Sequence, residues 1–170
     1  MDAQVVQTLV EAFKEEDIDL VVTLPEEPTG ALTRAIARDP SFTSVTVASE
    51  GSGITFCAGA SLGGRRCVFV TGIAGLLVGA WALSQMGPMY GVPLFILASY
   101  RGDVGDRTGI PGSSLFTFNQ VGEPLLSALR LPYRIANQRS LLKRMVRDAH
   151  YSCRQYDTPI VLLLTGEVLW

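Results

Sequence analysis

Apolar residues run along this chain in two rhythms that take turns. Val5, Val6, Leu9, Val10 and Phe13 fall at helical spacing with polar residues between them, so residues 3–16 are expected as an amphipathic helix. Ile18 to Leu24 (IDLVVTL) follows as a short β-branched run, the pattern of a strand covered on both faces. Pro25 ends it, Glu26, Glu27 and Pro28 make a loop, and residues 29–38 return to helical spacing with Leu32, Ile36 and Ala37 inward. The same alternation predicts strands over 44–48, 66–70, 93–98, 133–136 and 159–164. Helices are expected over 51–62, 74–86, 120–129 and 141–156, with a polar, glycine-rich loop from Ser99 to Ser114.

Six strands separated by helices require long crossovers, and hence parallel pairing with helices on both sides of the sheet. The expected fold is a doubly wound, three-layer α/β/α domain on a six-stranded parallel sheet. Ligands in such sheets gather beyond the carboxyl ends of the strands. That directs attention to Pro25–Gly30, Ser49–Gly53, Thr71–Gly75 and Ser99–Ser114.

Composition narrows the setting. The 170 residues suit one domain over 1–170 with a full core. Hydrophobic residues make up 48% of the chain and charged residues only 18%, against about 25% in an average domain, so extra apolar surface is expected to meet another chain. A net charge of -2 argues against nucleic acid as a partner. The amino-terminal segment carries acids where a secretion signal carries bases, and the most apolar windows are too short or too broken by glycine to span a bilayer. Cys57, Cys67 and Cys153 have no metal-binding spacing, and an odd count does not suit a disulfide framework, so reduced thiols in the cytoplasm are expected.

Common catalytic motifs are missing. Gly51-x-Gly53 lacks a third glycine and follows the second strand, and there is no phosphate-binding G-x-x-x-x-G-K-[ST]. The single histidine, His150, lies in a helix-patterned segment far from the loops and reads as a helix-surface or partly buried side chain. What stands out is Glu50, an acid at a strand-to-helix turn, in Ser49-Glu50-Gly51. On its own it would complement the helix dipole, an effect of about 0.3 to 1 kcal/mol.

Ser49-Glu50-Gly51, the small-residue helix after it, the strand Cys67-Val68-Phe69-Val70, and Ala98-Ser99-Tyr100-Arg101-Gly102-Asp103 together resemble the pyrimidine-binding domain of thiamine diphosphate enzymes. Over nearly the whole chain, Gly122-Glu123-Pro124-Leu125-Leu126 included, the sequence is similar to the alpha subunit of sulfopyruvate and phosphonopyruvate decarboxylases. The resemblance implies that Glu50 activates the cofactor by bonding its aminopyrimidine ring, with Pro25, Gly72 and Ile73 beside the cofactor. It also implies that the diphosphate and Mg2+ are held elsewhere, because no Gly-Asp-Gly stretch followed by paired asparagines occurs and Gly102-Asp103-Val104 is no substitute. A beta subunit carrying the diphosphate-binding domain is therefore expected, in an α2β2 assembly. The chain itself would bind no metal. Gly53, Cys57, Ala58, Ala60 and Ser61 would let a second backbone approach the helix after Glu50.

One departure bears on substrate. Where those decarboxylases carry Gln-Asn-Ser-Gly-Leu-Gly after the third strand, this chain has Gly72-Ile73-Ala74-Gly75-Leu76-Leu77. Lost amide and hydroxyl donors should weaken binding of a sulfonate or phosphonate. A less polar 2-oxo acid, or carboligation, then becomes the expected chemistry. Glu26 and Glu27 are either proton relays or solvated loop acids. Arg101 and Arg107 either clamp a substrate carboxylate or pair with a neighbouring subunit. The alternative to an enzyme subunit is a non-catalytic, thiamine-fold interaction or regulatory subunit.

Overall fold

In a computed structural model, which describes residues 1–102 and 113–170 (side chains of 113–117 apart), all six expected strands form one sheet. They are β1 (Leu20–Thr23), β2 (Thr43–Thr46), β3 (Cys67–Gly72), β4 (Leu94–Ser99), β5 (Tyr133–Ala136) and β6 (Pro159–Leu164). Every neighbouring pair is parallel, in the order β2-β1-β3-β4-β6-β5.

The four central strands are buried along their whole length, whereas the edge strands β2 and β5 are largely exposed. That matches their sequences: CVFVTG and LFILAS are apolar through most of their length, TSVT and YRIA are not. Alternate side chains of each central strand feed two cores. Val68, Val70, Phe95, Leu97, Leu162 and Leu164 pack under α1 (Ala3–Glu15), α2 (Gly30–Arg38) and α7 (Leu142–Gln155). Val22, Phe69, Ile96, Ala98, Val161 and Leu163 pack under α3 (Glu50–Leu62), α4 (Ile73–Val78), α5 (Ala80–Ser84) and α6 (Ser113–Ala128). Removing a buried ring such as Phe69 would cost about 3–5 kcal/mol. A short α8 (Gly166–Leu169) closes the chain.

Three expectations change. The helix foreseen over 74–86 is two short helices broken at Gly79 and followed by a π-helical turn, Gln85–Met89, with Pro88 inside it. The helix foreseen from residue 120 begins at Ser113. His150 is fully buried, not a surface side chain, and its Nδ1 lies 3.2 Å from Glu16 Oε2. The basic residues of α7 do form a solvated face, with Lys143 reaching Glu11 and Glu15 of α1. Among the described residues no helix is long and apolar enough to cross a membrane.

The order of strands places the reversal of winding between β1 and β3. The chain leaves β1 outward to β2 and returns past it to β3, opening a crevice beyond their carboxyl ends.

Candidate functional site

Four segments meet at that crevice: the Leu24–Thr29 loop after β1, the start of α3, the β3 to α4 turn, and Ser99–Arg101 after β4. Register sets their heights, pairing Thr23 with Val70 and Gly72 with Ser99. Ser49 caps α3, its Oγ accepting from the Ser52 backbone at 3.2 Å, which starts the helix at Glu50.

Two carboxylates rest on one glycine-lined turn. A Cβ built on Gly75 would lie 2.7 Å from Glu50 Cγ and 2.9 Å from its Oε1, so only glycine leaves room for Glu50 to fold inward over α4. A Cβ on Gly72 would overlap Glu26 Oε2 and stand 3.2 Å from Ser99 Oγ. The run Gly72-Ile73-Ala74-Gly75 thus makes the floor on which both acids sit. Glu50 is half-buried, and among the described residues no hydrogen bond or ion pair holds its carboxylate.

Glu26 differs from Glu50. Burial pushes its carboxyl above the usual glutamate range, opposed by the nearby Ser99 and Thr29 hydroxyls and the Arg101 charge. Those hydroxyls are close, yet neither makes a well-directed bond: Glu26 Oε1, Thr29 Oγ1 and Ser99 Oγ are all buried without a hydrogen-bond partner. Arg101 Nε and NH2 share that condition. The Arg101 side chain is 15% exposed, and its NH2 stands 3.5 Å from Oε2 of Glu27, which is 58% exposed. Four orphaned polar atoms in one crevice, with a fifth held only by that loose ion pair, are unusual, because a buried donor or acceptor left unmade costs about 1–3 kcal/mol.

The structure therefore brings together Glu26, Glu50, Gly72 and Arg101. Glu27 stands at the rim as the Arg101 counter-ion, and Pro25 is exposed at the mouth. Ile73 turns its side chain into the core under α6, leaving its backbone to face the turn. Arg107 lies outside the described residues. The small residues after Glu50 do not all serve a second chain: Gly53, Cys57 and Ala58 are buried inside this one, and a Cβ at Gly53 would strike the Phe69 ring at 2.5 Å.

Sequence reasoning passed over Glu123. Its two carboxylate oxygens accept from Tyr100 Oη at 2.7 Å and Tyr133 Oη at 2.9 Å, tying α6 to the segment that carries Ser99 and Arg101. Spacing gave no sign of it, since the three residues are joined only through the fold. Thr29 was likewise missed, being one more loop threonine in the sequence.

Among the described residues no group of three His, Cys, Asp or Glu side chains is placed to hold a metal ion. The glycine-floored Glu50 carboxylate and the unpaired atoms around Glu26 do suit the polar ring of a bound cofactor.

No family model matches the chain. It is 23% identical to sulfopyruvate decarboxylase subunit alpha of Methanococcus maripaludis over 158 residues, 93% of this chain and 92% of that protein. The subunit of the same name from Methanocaldococcus jannaschii is 23% identical over 96 residues, 56% of this chain and 57% of the relative. Among solved structures, a 2-oxoglutarate:ferredoxin oxidoreductase from Magnetococcus marinus superposes with a TM-score of 0.76 at 18% identity, over 98% of this chain. The match spans 29% of that much longer chain. The chain thus has the thiamine diphosphate-binding fold and resembles sulfopyruvate decarboxylase alpha subunits, one of them over nearly its full length.

Proposed function

We propose that this chain is the alpha subunit of a two-chain, thiamine diphosphate-dependent 2-oxo acid decarboxylase or carboligase. The observation that carries the reading is the Glu50 carboxylate: half-buried, without a partner among the described residues, and seated on Gly75 beyond the carboxyl ends of a parallel sheet.

Thiamine diphosphate, when bound, supplies the electron sink for carbanion chemistry. Glu50 would hold a proton at the aminopyrimidine ring nitrogen and so set the protonation of that ring. Pro25 and the Gly72–Ile73 backbone would line the ring, where the floor carries no side chain at Gly72 or Gly75. Glu26, whose carboxyl burial pushes above the usual glutamate range, is suited to give a proton to a substrate atom and take it back. No residue of this chain is assigned to the diphosphate or to Mg2+; a beta subunit is assigned both, in an α2β2 complex that alone is active.

Apolar surface supports a partner. Val78 and Trp81, on neighbouring helices of the α3–α5 side, are 71% and 77% exposed. The test is to copurify the chain with its partner and titrate thiamine diphosphate in the presence of Mg2+. The reading expects cofactor binding by the complex, 2-oxo acid turnover, and loss of turnover in Glu50→Gln with the complex intact. Full activity of that variant would refute it, and absence of cofactor binding would favour a non-catalytic subunit.

A further inference from the structure

The orphaned atoms around Arg101 point to a substrate class, an inference that rests on the function proposed above. A guanidinium stays charged at every physiological pH, so burying two of its donors without a hydrogen bond, one of them held only by a loose ion pair, is costly unless an anion arrives. Nε and NH2 lie on one edge of the guanidinium, the two-pronged edge that matches a planar carboxylate. Glu27, exposed and 3.5 Å away, gives that edge a loose counter-charge that an incoming acid can displace.

Which acid binds there follows from the reaction. A 2-oxo acid loses its own carboxylate as carbon dioxide, so gripping that group would stabilise the ground state more than the transition state. The Arg101 edge instead suits an acidic group that keeps its charge throughout. Glu26 then discriminates between kinds of acid. A carboxylate is basic enough to share a proton with the Glu26 carboxyl, which burial shifts toward its protonated form, whereas a sulfonate is too weak a base to do so. Thr29 and Ser99 add two hydroxyls in the same pocket, and Gly72 leaves Glu26 its place.

We propose that Arg101, with Glu26, Thr29 and Ser99, receives a second, non-reacting carboxylate, so that the substrate is a 2-oxo acid with a carboxylate at each end. The site sits at the carboxyl ends of β1 and β4, beside the glycine floor that bears Glu50.

The complex of this chain with its partner is assayed on oxaloacetate and 2-oxoglutarate, on 2-oxobutyrate and 2-oxopentanoate as monocarboxylic counterparts, and on 3-sulfopyruvate. One of the two dicarboxylic acids should exceed its monocarboxylic counterpart in kcat/KM by about 100-fold, the scale of a charge-assisted, two-bond contact. Arg101→Met should collapse that ratio to below about 10-fold, and Arg101→Lys, which keeps the charge and loses the fork, should fall between. A variant that lowers both substrates equally, or a preference for 3-sulfopyruvate, would overturn the proposal while leaving the cofactor reading intact. Should the complex bind no thiamine diphosphate, that reading fails, and calorimetry with the unreactive acids succinate, butyrate, glutarate and pentanoate still decides the pocket. A dicarboxylate that binds more tightly than its monocarboxylic counterpart, and loses that advantage in Arg101→Met, supports it. Equal binding in each pair overturns it.

Discussion

The two ends of the sheet treat buried polar groups in opposite ways. At the amino ends of the strands the groups are matched: His150 meets Glu16 at 3.2 Å, and Cys67 Sγ lies 3.3 Å from the Cys57 carbonyl. At the carboxyl ends Glu26, Thr29, Ser99 and Arg101 keep buried atoms without a hydrogen bond, and Glu50 has no partner among the described residues. A polar group satisfied within the chain stabilises the chain, whereas one left open in the interior costs stability unless a ligand completes it. The contrast separates scaffold from site without reference to any relative.

The sharpest way to break this contrast is Glu50→Gln. Turnover of the complex should fall by about 1,000-fold, on the scale of lost proton-transfer catalysis, while thermal unfolding of the chain stays near wild type. An equal loss of stability would move Glu50 to the scaffold class. Next comes Gly72→Ala, whose methyl group must evict the Glu26 carboxylate; a cost of about 1–3 kcal/mol in urea unfolding is expected, with altered substrate kinetics. At the opposite end, Glu16→Ala should cost about 1–3 kcal/mol by leaving buried His150 unpaired, with no change in cofactor affinity by calorimetry.

A pH series sharpens the comparison further. The Glu26 carboxyl is raised above its unfolded value of 4.5, so between that value and its folded pKa the native chain holds more protons than the unfolded one. Stability attributable to this group therefore falls as pH rises through that window. Glu26→Gln removes the titration, so the variant should gain on wild type from pH 4 to pH 8 in thermal melts. A constant difference would mean the group is not buried as described. The smallest effect belongs to Lys143→Ala on the solvated face of α7, where loss of exposed pairs with Glu11 and Glu15 should leave the same melts close to wild type.

Much of the fold was legible in the chain. CVFVTG, LFILAS and PIVLLL announce buried parallel strands because no polar residue interrupts their apolar core, and the helical spacing of Val5, Leu9 and Phe13 gave α1 within a residue at its carboxyl end. The break at Gly79 was hidden by a helical apolar pattern that runs through it. The start of α6 was hidden for the opposite reason, since Ser113 to Asn119 is rich in hydroxyl and aromatic residues of middling helix propensity. Glu50 stood out as a lone acid at a turn. Arg101 and Glu26 were visible as candidates but with their alternatives undecided, because sequence spacing says nothing about whether a side chain is buried or paired.

The sequence alone determined that there are six strands alternating with helices, that the loops at their carboxyl ends carry the acids and arginines, and that Gly72 and Gly75 punctuate the turn after the third strand. Only the tertiary structure decided what those glycines are for. Hydrophobic periodicity is a local property and survives in one dimension, whereas the seating of Glu26 and Glu50 on one turn depends on β1, β3 and β4 lying side by side, with α3 packed above them. The unpaired edge of Arg101 is likewise a property of distance in space, fixed by contacts between residues 26 to 29 and 99 to 101.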